Sequence, residues 1–129
     1  MNYYEFYKKS NESAVDFWKE QSQNIAWFSN PKTILSNDSN DYPLWFADGE
    51  LNACYLAVDK HIEDGFGEQV AIIYDSPVTQ TVKKYTFNEV KTEVAKLAGG
   101  LLSLGLEKGD TAVIYMPMIP QAAFAMLAC

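Results

Sequence analysis

One histidine, His61, and two cysteines, Cys54 and Cys129, are the only imidazole and thiol groups in these 129 residues. A single imidazole offers no histidine pair to a metal. The cysteines lie far apart in sequence and outside any CxxC pair, so neither a disulfide framework nor a zinc site is supported. No GxxxxGK[ST] loop occurs. The one GxG, Gly65-Phe66-Gly67, precedes an expected strand, whereas a phosphate cradle follows a strand and opens a helix. Gly65 and Gly67 are therefore read as turn residues. Basic runs reach only Lys8-Lys9 and Lys83-Lys84, and the formal net charge is -7. That charge repels a phosphate backbone, which argues against nucleic acid as a partner. No apolar run approaches the ~20 residues of a membrane span. The opening residues have neither the basic start and apolar run of a signal peptide nor the Arg-rich, acid-poor character of a transit peptide. The expectation is a cytoplasmic protein with two reduced thiols, no nucleic-acid partner and no membrane.

What is present reads as globular, with 48% hydrophobic and 21% charged residues. Ser13 is placed to cap a helix whose apolar positions Val15, Trp18 and Ile25 fall roughly on one face, with Phe17 beside it and Ser22 interrupting it. Ser29-Asn30-Pro31 stops it. From there to Glu50 the chain reads as irregular, yet it carries Ile34, Leu35, Leu44, Trp45 and Phe46. Two apolar clusters in a long loop suggest a strap that docks onto a larger body. Asp48 is the expected cap of a second helix with Leu51, Tyr55, Val58 and Ile62 on one face and Gly65 at its end.

Val70 to Tyr74 is a short β-branched run that reads as a strand buried on both faces. After the turn Asp75-Ser76-Pro77, Val82 to Tyr85 returns as its hairpin partner. Thr86 and Glu89 stand at capping-box spacing ahead of Val90, Val94, Leu97, Leu101 and Leu104, the clearest helical signal in the chain. Gly105 closes that helix and Lys108-Gly109-Asp110 turns the chain. Thr111 to Met116 reads as another buried strand, and Pro120 opens a last, almost wholly apolar helix to Cys129. The fold class expected is α/β with a right-handed last crossover. Residues 1-50 form a helical extension and docking strap, and residues 51-129 begin a larger α/β domain. Because the final helix is apolar and uncapped, the chain is expected to end inside that domain.

No residue earns a catalytic, cofactor-binding or metal role. His61 sits at the border of its helix's apolar face, and Cys54 reads as a small core residue. The acidic groups Asp59, Glu63 and Asp64, like Glu12, Asp16 and Glu20, read as solvated faces. Gly99-Gly100 inside a helix suggests close helix packing. Tyr3, Tyr4, Tyr7, Trp18, Trp27 and Trp45 read as packing and docking residues.

Several stretches resemble the short-chain acyl-CoA synthetases of the adenylate-forming superfamily. Trp45-Phe46-Ala47-Asp48-Gly49-Glu50-Leu51-Asn52 is similar to the segment leading into their main domain, followed by a helix through Val58-Asp59-Lys60-His61. Tyr85-Thr86-Phe87-Asn88-Glu89-Val90 resembles the superfamily's first core motif, Thr-Tyr-x-Glu-Leu. Gly105, Lys108-Gly109-Asp110, the run Val113 to Pro120 and Ala125 to Cys129 follow the acetate and propionate branch closely. Ile73 to Thr79 looks more like propionate–CoA ligases than acetate–CoA ligases. Gln80 and Gln121 depart from a common glycine and a common glutamate. The resemblance covers Tyr4 to Cys129. It implies an N-terminal fragment, inactive alone, of an AMP-forming ligase that activates propionate, or alternatively acetate. ATP and the carboxylate give an acyl-adenylate and pyrophosphate; CoA then takes the acyl group and AMP leaves. It further implies ATP, CoA and Mg2+ as cofactors of the full-length enzyme, none of them bound by this chain. The family's phosphate loop, nucleotide motifs and catalytic lysine are expected beyond Cys129. The rival reading from another class is a non-catalytic interaction module using its aromatic strap.

Overall fold

The computed structural model describes residues 2–129, which fall into two compact units, the first ending at Asn52 and the second running from Ala53 to Cys129. The second is built around a small apolar cluster; among the described residues of the first, Phe17 is the buried apolar side chain.

In the first unit, α1 (Tyr3–Glu12) starts at a capping box in which the Asn2 side chain accepts from the Glu5 amide and Glu5 returns the bond to the Asn2 amide. This satisfies two of the donors that a helix start leaves unpaired. Ser13 then separates α1 from α2 (Ala14–Ser22), and its side chain makes no capping bond. The expected face is also corrected. Val15, Trp18 and Ile25 are exposed, whereas Phe17 (1% exposed) and Ser22 are buried. Phe17 is taken from both sides by edge-on rings, Phe6 at 4.7 Å and Trp18 at 5.0 Å. Ser22 is tolerated inside because its hydroxyl donates to the Lys19 carbonyl and its own carbonyl accepts the Trp27 indole N–H, both at 2.8 Å.

The segment from Phe28 to Glu50 is more ordered than an irregular strap. β1 (Leu35–Asn37) and β2 (Pro43–Trp45) pair antiparallel with Leu35 opposite Trp45, and Ser29 bridges Glu50. The polar run between the strands is a tight turn in which one Asp38 carboxylate oxygen accepts from the amides of Asn40 and Tyr42. Asp48 caps no helix. Its carboxylate accepts from the backbone amides of Lys32, at 3.1 and 3.2 Å, and Thr33, at 3.1 Å. Those amides have no ladder partner, so a carboxylate brought back by the β1–β2 hairpin satisfies them better than a helix start would. Gly49 follows for a steric reason: a Cβ there would stand 2.9 Å from the Trp27 ring.

In the second unit, the expected first helix is two π-helical turns, Tyr55–Asp59 and Ile62–Phe66, and Leu51 lies outside it and exposed. Gly65 closes it in the left-handed region (φ 91°), as expected of a helix-ending glycine. β3 (Val70–Ser76) and β4 (Thr81–Thr86) form the expected hairpin. β3 is not buried on both faces, because a two-stranded sheet has only one face against α3 (Phe87–Ser103). A bulge between Val70 and Ile72 breaks the alternation, so the neighbours Ala71 and Ile72 both pack on the core while Ile73 is exposed.

Both halves of the Thr86/Glu89 capping box form, at 3.2 and 2.8 Å. It fixes the turn from β4 into α3. The core comprises Val58, Tyr85, Val90, Val94 and, from α4 (Pro120–Ala128), Phe124. Leu104 falls past this core and is exposed. Nothing approaches within 4 Å of where a Cβ would stand at Gly99 or Gly100, so close packing does not explain that pair. The strand expected over Thr111 to Met116 does not form, and with it goes the expected crossover. It pairs with no strand of the β3–β4 hairpin, and a strand without a paired neighbour has no ladder to stabilise it.

Four outcomes follow for folding. Thr33 and Lys32 hydrogen bonds, the Thr33 bond foremost, hold the Asp48 carboxyl below its usual range against a smaller opposing effect of desolvation. A folded value below the unfolded one, about 3.9, means stability present above that pH and lost as pH falls through the folded value. Side-chain NMR titration of Asp48 should therefore end below the model-peptide midpoint, and Asp48→Asn should remove that share of the acid sensitivity. Gly49→Ala should loosen the first unit by about 1–3 kcal/mol through overpacking on Trp27, seen as faster amide exchange at Phe28 and Ser29 with the second unit unchanged. Thr86→Ala should cost about 1 kcal/mol in denaturant unfolding, and Phe124→Ala about 3–5 kcal/mol.

Candidate functional site

α3 and α4 meet through Tyr85 and Phe124, whose rings lie edge to face at 5.3 Å. Toward the C-terminal half of α3 that contact gives way to an apolar groove of 540 Å³, walled by Ala98 and Leu101 from α3, Ile114 from the following segment, and Met126 from α4. The segment beside it is the most exposed apolar stretch of the second unit: Val113 is 88%, Tyr115 101% and Met118 94% exposed. Gly109, at φ 100°, and the Asp110 carboxylate, which accepts from the Glu107 amide at 2.8 Å, set the turn that carries the chain into it. Apolar side chains facing water next to an open apolar groove are a common mark of a contact surface.

A shallower, polar hollow of 340 Å³ lies on the other side of the Tyr85–Phe124 contact. Most of its polar groups are engaged within the fold. Asn88 donates to Glu68 at 2.8 Å, Glu89 serves the capping box, Glu93 pairs with Lys96 at 2.8 Å, and the Lys83 ammonium sits over the Tyr85 ring at 4.5 Å. No nucleophile and base face each other there.

The single-site candidates resolve as structural contacts. His61 lies against the Phe87 ring at 4.8 Å. Cys54 is half-buried beside the core, and burial, with Asp59 adding, pushes its thiol up, which disfavours the reactive thiolate. Asp59 is not a solvated acid: it binds Lys91 at 2.7 Å, and that hydrogen bond raises the Lys91 ammonium. Glu63 accepts from the Tyr55 hydroxyl at 2.7 Å, which raises the Tyr55 phenol. The Tyr55–Glu63 pair was within reach of a helical reading, at two turns' separation. Asp59–Lys91 was not, because only the tertiary fold brings α3 beside the π-helical turn. Tyr3 stacks with Tyr7 at 6.2 Å, and Trp27 and Trp45 both lie against Phe46, at 5.6 and 6.1 Å.

Among the described residues no three His, Cys, Asp or Glu side chains converge on a metal position, and the glycine pair at 99–100 lies within α3 rather than in a loop after a strand. No helix of the described residues is long and apolar enough to cross a membrane.

Comparison with known proteins accounts for nearly the whole chain. The family described as "Acetyl-coenzyme A synthetase N-terminus" matches residues 3–57, and the family described as "AMP-binding enzyme" matches residues 60–129. Human "Acyl-CoA synthetase short-chain family member 3, mitochondrial" is 52% identical over 113 residues, covering 88% of this chain and 16% of its own. "Acetyl-coenzyme A synthetase" of Streptomyces coelicolor is 41% identical over 125 residues, 97% of this chain and 19% of its own. The solved acetoacetyl-CoA synthetase from Streptomyces lividans superposes with a TM-score of 0.82 at 26% identity, over 99% of this chain and 20% of its own. The chain thus spans a fifth or less of the length of these relatives. The mixed helix-and-strand fold is that of the corresponding region of an α/β adenylate-forming domain. Matched over more than half its length, through the capped α3 and the apolar α4 that define the second unit, the chain belongs to the AMP-binding enzyme family.

Proposed function

We propose that this chain is the N-terminal portion of an AMP-forming propionate–CoA ligase, in which it supplies framework rather than catalytic groups. The observation that carries the reading is the succession of the two family matches, 3–57 and then 60–129, in one chain. The exposed run through Val113, Tyr115 and Met118 and the groove beside it fit this role. In a protein about five times as long, as the relatives' coverage indicates, the remaining domain would cover them and give Thr111 to Met116 the strand neighbour it lacks here. Residues 1-50 would serve as the extension and strap, and residues 51-129 as the start of the large domain.

In such an enzyme ATP, CoA and Mg2+ act in the remaining portion. There the metal offsets phosphate charge and positioned donors stabilise the developing charge of acyl transfer. The present residues hold the first helices and hairpin of that domain in place. Propionate as the acid rests on the end of β3 and the β3–β4 turn, where Ile73 to Thr79 resembles propionate–CoA ligases. Val78 at its tip is exposed. Acetate is the second reading, favoured by the acetyl-CoA synthetase relative. A cytoplasmic location belongs to the same proposal, since free thiols at Cys54 and Cys129 suit a reducing compartment.

The test is ATP–pyrophosphate exchange by the product of the full reading frame, offered acetate, propionate and butyrate in turn. Exchange strongest with propionate is expected. A preference for acetate would keep the ligase and overturn the acid, and no exchange with any of them would overturn the ligase.

A further inference from the structure

We draw no further inference here: the strongest candidate, the apolar groove between the C-terminal half of α3, the segment after Gly109 and α4, belongs to the surface already described, and nothing in the structure shows what else would cover it.

Discussion

Val90 is the residue on which the second unit turns. It is 1% exposed, and around it gather Val58 from the π-helical turn, Tyr85 from β4, Val94 one turn along α3, and Phe124 from α4. Four separate pieces of chain therefore share one small cluster. Apolar burial at about 25 cal/mol per Å² is the main favourable term available to so small a core. The contacts must also be aimed, and the Thr86/Glu89 capping box does that. By fixing where β4 ends and α3 begins, it sets which side of the helix meets the sheet. The bulge in β3 makes the matching adjustment on the sheet side, turning Ala71 and Ile72 together onto the core.

The first unit is held by polar pins rather than by a core of that size. Phe17 is the one large buried side chain among its described residues, and beyond it the chain is fastened by a few polar bonds at intervals: Trp27 to Ser22, Asp48 to Lys32 and Thr33, Ser29 to Glu50. Each ties together backbone segments of the unit that are separated in sequence. Two positions of the Trp-Phe-Ala-Asp-Gly stretch that links this unit to a family have a physical reason behind them. Asp48 supplies the acceptor, and Gly49 leaves room for the Trp27 ring.

The apolar surface of α4 and of the preceding segment fits the proposal that further protein covers it. A helix that is apolar nearly all round is normally buried, and here Phe124 and Ala125 are buried while Met126 faces water. Membership of the AMP-binding family and the greater length of the relatives supply a reason for that exposure that the isolated chain does not.

Local chemistry was legible without coordinates. The sequence by itself determined the capping box, the β3–β4 hairpin, the ends of α3 and α4, and Gly65 as a helix stop, because each depends on residues only a few positions apart. Its motifs also pointed to the family. What only the tertiary structure decided was which apolar residues are inside. Phe17 rather than Trp18 is buried, Ile73 is exposed beside the half-buried Ile72, and Thr111 to Met116 forms no strand. Asp48 binds a loop instead of capping a helix, and Asp59 finds Lys91. A cap or turn is a bond between near neighbours, so the sequence contains both partners side by side. Burial and strand pairing need a partner from elsewhere in the chain, and only the folded arrangement says whether one arrives.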